Sequence, residues 1–172
     1  MNSFDILEIQ SSLGLIETSP SLLFDDDDGR IAEKTGISKI HRSDISAYDL
    51  AIQAAKKLDC LSSIRGHLKY VIYVTQSPSY FLPNHASRLQ NELGISQAAM
   101  CFDINQGCSG FVQALIVMSS LLGMSDDLGL IICADTYSKH LASDDRSTQV
   151  LFSDGATASV IKGGGRWDVL AV

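Results

Sequence analysis

The segment of this chain best suited to chemistry is Cys101-Phe102-Asp103-Ile104-Asn105-Gln106-Gly107-Cys108-Ser109-Gly110-Phe111. A short apolar run leads into a turn in which Gly107 and Gly110 flank a cysteine, and an apolar stretch of helical length follows. Glycine permits sharp backbone geometry and close approach of other groups. The spacing places Cys108 at the start of a helix over residues 108–122. Unpaired N–H groups and the helix dipole favour a thiolate there. The geometry is analogous to the nucleophile elbow of serine hydrolases. The chemistry on offer is nucleophilic catalysis by the Cys108 thiolate. A small core cysteine that merely packs fits the same local pattern equally well.

The elements that must position this turn alternate in type. Residues 4–13 read as a first strand. Ser46-Ala47-Tyr48-Asp49 resembles a capping box with Asp in place of Glu, opening an amphipathic helix over 48–58. Residues 68–75 are rich in Tyr, Val and Ile and read as a strand. Pro83 is expected to open the next helix at its first turn, with a stop at Gly94. A buried strand is expected over 98–104, then the apolar helix ending at Gly123, then a central strand over 128–134. Two further strands are expected over 150–152 and 156–161, joined through Ser153-Asp154-Gly155. Asp154-Gly155-Ala156 reads as a structural turn. Strands alternating with helices predict an α/β fold, a mixed sheet covered by helices.

Composition narrows the function classes. The chain has 172 residues, 45% hydrophobic and 19% charged, which suits one globular domain over 1–172 with a real core. The net charge of −7 disfavours non-specific binding to nucleic acid or anionic membrane. No basic, apolar leader is visible at Met1-Asn2-Ser3-Phe4-Asp5, and no apolar run has the ~18 residues a membrane span needs. Cys60, Cys101, Cys108 and Cys133 lack CxxC spacing, so neither a zinc site nor a redox pair is expected, and a reducing cytoplasmic setting is. The acidic run at 25–28 lacks the alternating ligands of a calcium loop and reads as a solvated turn or helix start. His41, His67, His85 and His140 read as surface or cap histidines.

Four blocks carry a resemblance to a known family. They are Glu33-Lys34-Thr35-Gly36-Ile37 with His41-Arg42 after it, Leu82-Pro83-Asn84, the run from Phe102-Asp103-Ile104 to Cys108-Ser109-Gly110-Phe111, and Leu151-Phe152-Ser153-Asp154-Gly155-Ala156. In order and spacing they resemble the first half of a β-ketoacyl-[acyl-carrier-protein] synthase III, of the thiolase-like superfamily, over roughly residues 24–162. The resemblance implies one βαβαβαββ half of a thiolase-like fold and a cytoplasmic, dimeric acyltransferase of fatty-acid synthesis. In that family the cysteine takes an acyl group from acyl-CoA, and the acyl-enzyme condenses with malonyl-carrier protein. Cys108 matches the nucleophile, and its own N–H is the implied oxyanion donor. Leu82 matches a residue that reaches into the partner subunit's acyl channel. Arg146 falls where the family has an Arg beside the CoA adenine and phosphate. Lys34 falls where the family often has Arg, and Arg30 falls near an adenine-stacking Trp. Lys keeps the charge but loses the planar fork, so these departures weaken the CoA assignment. No cofactor or metal is implied, since acyl-CoA is a substrate.

The family's decarboxylating His and Asn belong to its C-terminal half. The resemblance stops short of that half, so this chain is expected to acylate itself at most. One half of the fold should expose the apolar layer meant for its mate. Homodimerisation, or association with a C-terminal half, is therefore expected. The proline that usually follows the family's first strand is absent here. A second reading makes the chain a non-catalytic half-protein serving as a binding or dimerisation module, with Cys108 a relic.

Overall fold

The structure is a computed structural model that describes residues 3–24 and 30–170. The expected acidic turn at 25–28 lies outside the described residues. The first half of the chain holds β1 (Ser3–Leu13), β2 (Ile16–Thr18), α1 (Pro20–Phe24), α2 (Arg30–Thr35), β3 (Ile40–Arg42), α3 (Ala47–Lys56), α4 (Leu61–Ile64) and β4 (Leu68–Val74). The second half holds α5 (His85–Glu92), β5 (Met100–Ile104), α6 (Gly110–Leu122), β6 (Leu128–Asp135), a 3-10 turn at Tyr137–His140, β7 (Gly155–Gly163) and β8 (Trp167–Asp168).

A six-stranded mixed sheet in the order β5-β4-β6-β7-β1-β8 forms the middle layer. β4, β5 and β6 are parallel, while β7 runs antiparallel to both β6 and β1. β2 and β3 pair separately as a short antiparallel ribbon. Apolar residues at helical spacing put α3 on one face of the sheet. Leu50, Ala51, Ala54 and Ala55 are fully buried there in one core cluster with Val71, Leu130, Ile132 and Val160. The expected capping box opens this helix. Asp49 N–H donates to Ser46 Oγ at 3.1 Å, and Ser46 N–H donates to Asp49 Oδ2 at 3.2 Å. α5 joins the same cluster through Ala86 and Leu89. α6 lies on the opposite face, where Ala114, Met118 and Leu122 pack with Ile72, Ile131 and Ile161.

Several expectations are corrected. Pro83 does not open α5. It follows a cis Leu82–Pro83 bond and precedes the cap residue Asn84. Asn84 makes no side-chain cap; its amide donates to Cys101 O at 3.1 Å, and a distant acid, Asp103, caps the helix instead. The stretch 150–152 is turn and loop, not strand. Asp145 Oδ1 organises the preceding turn by accepting from Ser147 N–H, Ser147 Oγ and Thr148 N–H. Such side-chain turns compete with strand pairing. Those bonds, from Ser147 first and then Thr148, hold the Asp145 carboxyl down at about 2.

β5 is not buried as expected. Among the described residues it is an edge strand paired to β4 alone, and Met100 is 56% exposed. Nor is α6 covered all round: Val112 on its outer face is 57% exposed. On the same side of the sheet Ile9 and Leu13 are about half exposed as well. Together these side chains form an open apolar patch on that face.

Asp154 fastens β3 and the 3-10 turn to the start of β7. Its side chain is fully buried and accepts from Ser43 N–H at 2.9 Å, Ser138 Oγ at 2.6 Å and Ser138 N–H at 3.2 Å. Stranding these donors costs about 1–3 kcal/mol for each one left buried. Asp154→Ala is therefore expected to lower unfolding free energy by ~3 kcal/mol or more, read from urea melts, with Asp154→Asn losing less. Glu8 holds the loop before α4 by accepting from Asp59 N–H and Cys60 N–H. Hydrogen bonding, led by the Cys60 thiol, lowers its carboxyl from 4.5 to about 2. A depressed acid stabilises the fold above its unfolded pKa and stops doing so as pH falls through its folded one. Glu8→Gln should thus lower the melting temperature at pH 7, and the gap to wild type should close between pH 4.5 and about 2.

Candidate functional site

The placement of the cysteine follows from strand order. β4 sits between β5 and β6. The chain leaves β4 through α5 on one face and reaches β5. It then leaves β5 through α6 on the other face and crosses over β4 to β6. The connections part at the carboxyl ends of the strands, the place where open α/β sheets leave a crevice for ligands. Cys108 lies there, on the turn between β5 and α6, and it is exposed. It is not inside the helix as expected. Ser109 is the cap residue and Gly110 the first helical one.

The turn is held tightly. Gly110 N–H donates to Gly107 O at 2.7 Å, and Gln113 N–H donates to Ser109 O at 3.0 Å. The amides of Gln106 and Gln113 both donate to Ser109 Oγ at 3.2 Å, bracketing the residue after Cys108. Both glycines answer a close approach. A Cβ on Gly110 would lie 2.5 Å from Val74 Cγ1 at the end of β4, and a Cβ on Gly107 would lie 2.9 Å from Gln76 Oε1. Bulk at Gly110 would push α6 off the sheet.

Leu82 is 87% exposed and its neighbour Phe81 95% exposed, on the loop that leaves β4 for α5. A small cavity lies between this loop and the end of β5, lined by Tyr80, Phe81, His85, Ile104 and Asn105 among others. Arg30 and Lys34 stand exposed on α2 at i, i+4 spacing, and Arg146 is exposed in the turn organised by Asp145. Arg42 Nη2 donates to Gln149 O at 2.8 Å and to Gln149 Oε1 at 2.9 Å. That contact ties the segment carrying Arg146 to the strand that follows α2. Among the described residues no cluster of three or more His, Cys, Asp or Glu is arranged to hold a metal ion, and no helix is long and apolar enough to cross a membrane.

Sequence reasoning missed three groups. His85 is not a surface histidine: it is 1% exposed, stacked between Tyr80 at 4.3 Å and Tyr73 at 5.1 Å. Its Nε2 accepts from Ser79 N–H at 3.2 Å, so Nδ1 carries the proton and donates to Asp103 Oδ2 at 3.0 Å. Asp103 also accepts from His85 N–H at 2.7 Å and Ala86 N–H at 2.8 Å, anchoring the base of the Leu82 loop. Asp135 ends β6 and gathers the 75–77 turn onto one oxygen. The readable signal for Asp103 and Asp135 was an acid inside or ending an otherwise apolar strand. Nothing local marked His85.

Comparison with known proteins agrees with this geometry. The family described as 3-oxoacyl-[acyl-carrier-protein] synthase III matches residues 102–172, a stretch that begins inside β5 and includes the cysteine turn. A β-ketoacyl-[acyl-carrier-protein] synthase III of Clostridium novyi (strain NT) is 38% identical over 146 residues, 82% of this chain and 44% of that protein. The chain is similar to this family over most of its own length. A solved 3-oxoacyl-(acyl-carrier-protein) synthase III superposes on it with a TM-score of 0.85 at 34% identity, over 97% of this chain and 51% of that one. A 3-oxoacyl-(acyl-carrier protein) synthase from Burkholderia xenovorans LB400 gives 0.85 at 30% identity, over 95% and 49%. The chain thus spans about half the length of its synthase III relatives, and its mixed sheet between helices is one thiolase-like half.

The four thiols differ in setting. Burial pushes Cys60, Cys101 and Cys133 up to about 11, so each is almost wholly protonated at pH 8, while Cys108 is the exposed one. Limited iodoacetamide at pH 8 should therefore add one carbamidomethyl group, mapped to Cys108 by peptide mass spectrometry, at least tenfold faster than at any other site. Early labelling of Cys60, Cys101 or Cys133 would contradict this.

Proposed function

We propose that this chain carries the acyl-accepting step of a ketoacyl synthase III-type acyltransferase, with Cys108 taking an acyl group from acyl-CoA. The observation that carries the proposal is the place of Cys108: an exposed thiol at the carboxyl edge of the parallel strands, on the turn that opens α6.

In the proposed step the Cys108 thiolate adds to the thioester carbonyl carbon. Negative charge gathers on the carbonyl oxygen, and the Cys108 N–H is the proposed donor to it. Collapse breaks the carbon–sulfur bond to CoA, leaves S-acyl Cys108, and releases the CoA thiolate, which takes a proton from solvent. The acyl-enzyme then condenses with malonyl-carrier protein, with loss of carbon dioxide. The His and Asn of that second step are assigned to the part of the relatives' length that this chain does not span.

Arg30, Lys34 and Arg146 are proposed to meet the CoA phosphates and adenine, Lys34 as a point charge in place of a fork. Leu82 is proposed to wall the acyl channel of a partner subunit in a homodimer. The exposure of Leu82 and Phe81 supports this, because two neighbouring apolar side chains on one loop want cover. The open layer around α6 is proposed to receive the other half of the fold. A non-catalytic binding module would give no reason for the one exposed cysteine to stand at this edge of the sheet.

Incubation with short acyl-CoAs, followed by intact-mass spectrometry, tests the reading. The expected result is the gain of one acyl group per chain, abolished by Cys108→Ala. An unchanged mass, or a gain that survives that substitution, would overturn it.

A further inference from the structure

Asp135 lies at the end of β6, outside the cysteine turn, yet one of its oxygens holds a complete neighbouring turn in place. Oδ1 accepts from Gln76 N–H at 2.7 Å, Ser77 Oγ at 2.8 Å, Ser77 N–H at 2.9 Å and Thr75 Oγ1 at 3.0 Å. Ser77 Oγ in turn accepts from Thr136 N–H at 2.9 Å, so the turn is fixed to β6 from both sides. Hydrogen bonds to an ionised acceptor are roughly twice as strong as neutral ones. Concentrating four donors on one carboxylate oxygen is more than is needed to end a strand.

What the 75–77 turn touches gives this arrangement a purpose. Thr75 N–H donates to Ile104 O at 3.2 Å, at the last residue of β5 before the cysteine turn. The Gln76 side chain lies directly against Gly107, filling the space where a Cβ would stand. Gly107 is the residue before Cys108, so the peptide between them carries the N–H proposed as oxyanion donor. The 75–77 turn therefore meets the cysteine turn at its root and at Gly107, whose backbone leads directly into the Cys108 N–H.

We infer that Asp135 is a positioning residue for acyl transfer, acting through the Thr75-Gln76-Ser77 turn to fix the orientation of the Gly107–Cys108 peptide. The inference rests on the acyl-accepting reading of Cys108 given above. It adds a group that touches neither substrate nor nucleophile. Misplacement by about 1 Å can cost ~100-fold in a reaction that depends on aligned donors. Alkylation by iodoacetamide needs the thiolate but no oxyanion donor, so it reports the same sulfur without that requirement.

The test uses the full chain with acetyl-CoA as the acyl donor and iodoacetamide as the control reagent. Asp135→Ala should slow acetylation of Cys108 at least tenfold, leave the half-saturating acetyl-CoA concentration within twofold, and leave alkylation within threefold. Asp135→Asn keeps an accepting oxygen and should recover most of the acetylation rate. Gln76→Ala should slow acetylation on its own, and adding Asp135→Ala to it should slow it little further, because both changes break one path. Acetylation that Asp135→Ala leaves unchanged would overturn the inference while leaving the Cys108 reading intact. So would a parallel fall in acetylation, alkylation and melting temperature, the mark of a merely structural acid. Absence of acetylation in the wild type, with alkylation still seen, would remove the Cys108 reading and this inference with it.

Discussion

β4 is hydrogen-bonded to β5 on one side and to β6 on the other, and both neighbours run parallel to it. Parallel neighbours cannot be reached by a tight turn, so each connection must cross a face of the sheet. One crossing uses α5 and the other α6, on opposite faces. Everything specific about the site follows from that division. The loop after β4, the turn after β5 and the end of β6 are left together at one edge, carrying Leu82, Cys108 and Asp135. The candidate site is thereby drawn from three separate stretches of sequence without any of them needing to be near the others along the chain.

Most of the secondary structure was legible because local signals agreed with tertiary demands. The Ser46–Asp49 box, the apolar run of β6 and the glycines ending α5 and α6 each announce an element that then forms. The failures have two causes, a local side-chain turn that outcompetes residue-type preference and a long-range partner invisible to a local window. Residues 150–152 read as strand by residue type, but Asp145 had already committed the preceding segment to a turn. Pro83 carried a helix-start signal, yet the cap of α5 comes from Asp103 on a different element. β5 looked buried because its residues are apolar, and its exposure is decided only by its place at the end of the strand order.

The site shows the same split. Cys108 was readable because glycines on either side leave a trace in sequence. The groups that hold its surroundings are ordinary Asp, Ser and Thr residues whose meaning appears only in space. Resemblance to a family pointed to Cys108 as the candidate nucleophile and to Arg30, Lys34 and Arg146 as candidate cations, but it assigned no role to Asp135 or His85. Resemblance and bottom-up reading therefore cover different residues: one points to Cys108, the other to the groups packed around its turn.

The cap that Asp103 places on α5 has a consequence for how the molecule assembles. α5 has eight residues, and isolated helices shorter than about 12 residues are marginal in water. Its first N–H groups are satisfied only by a carboxylate from the strand that follows it, and its first residue is the histidine that same carboxylate grips. Local helix formation is thus tied to a pairing event some way along the chain. The helix, the edge strand and the buried ring should gain order together, as one cooperative unit, and lose it together when the edge of the sheet opens.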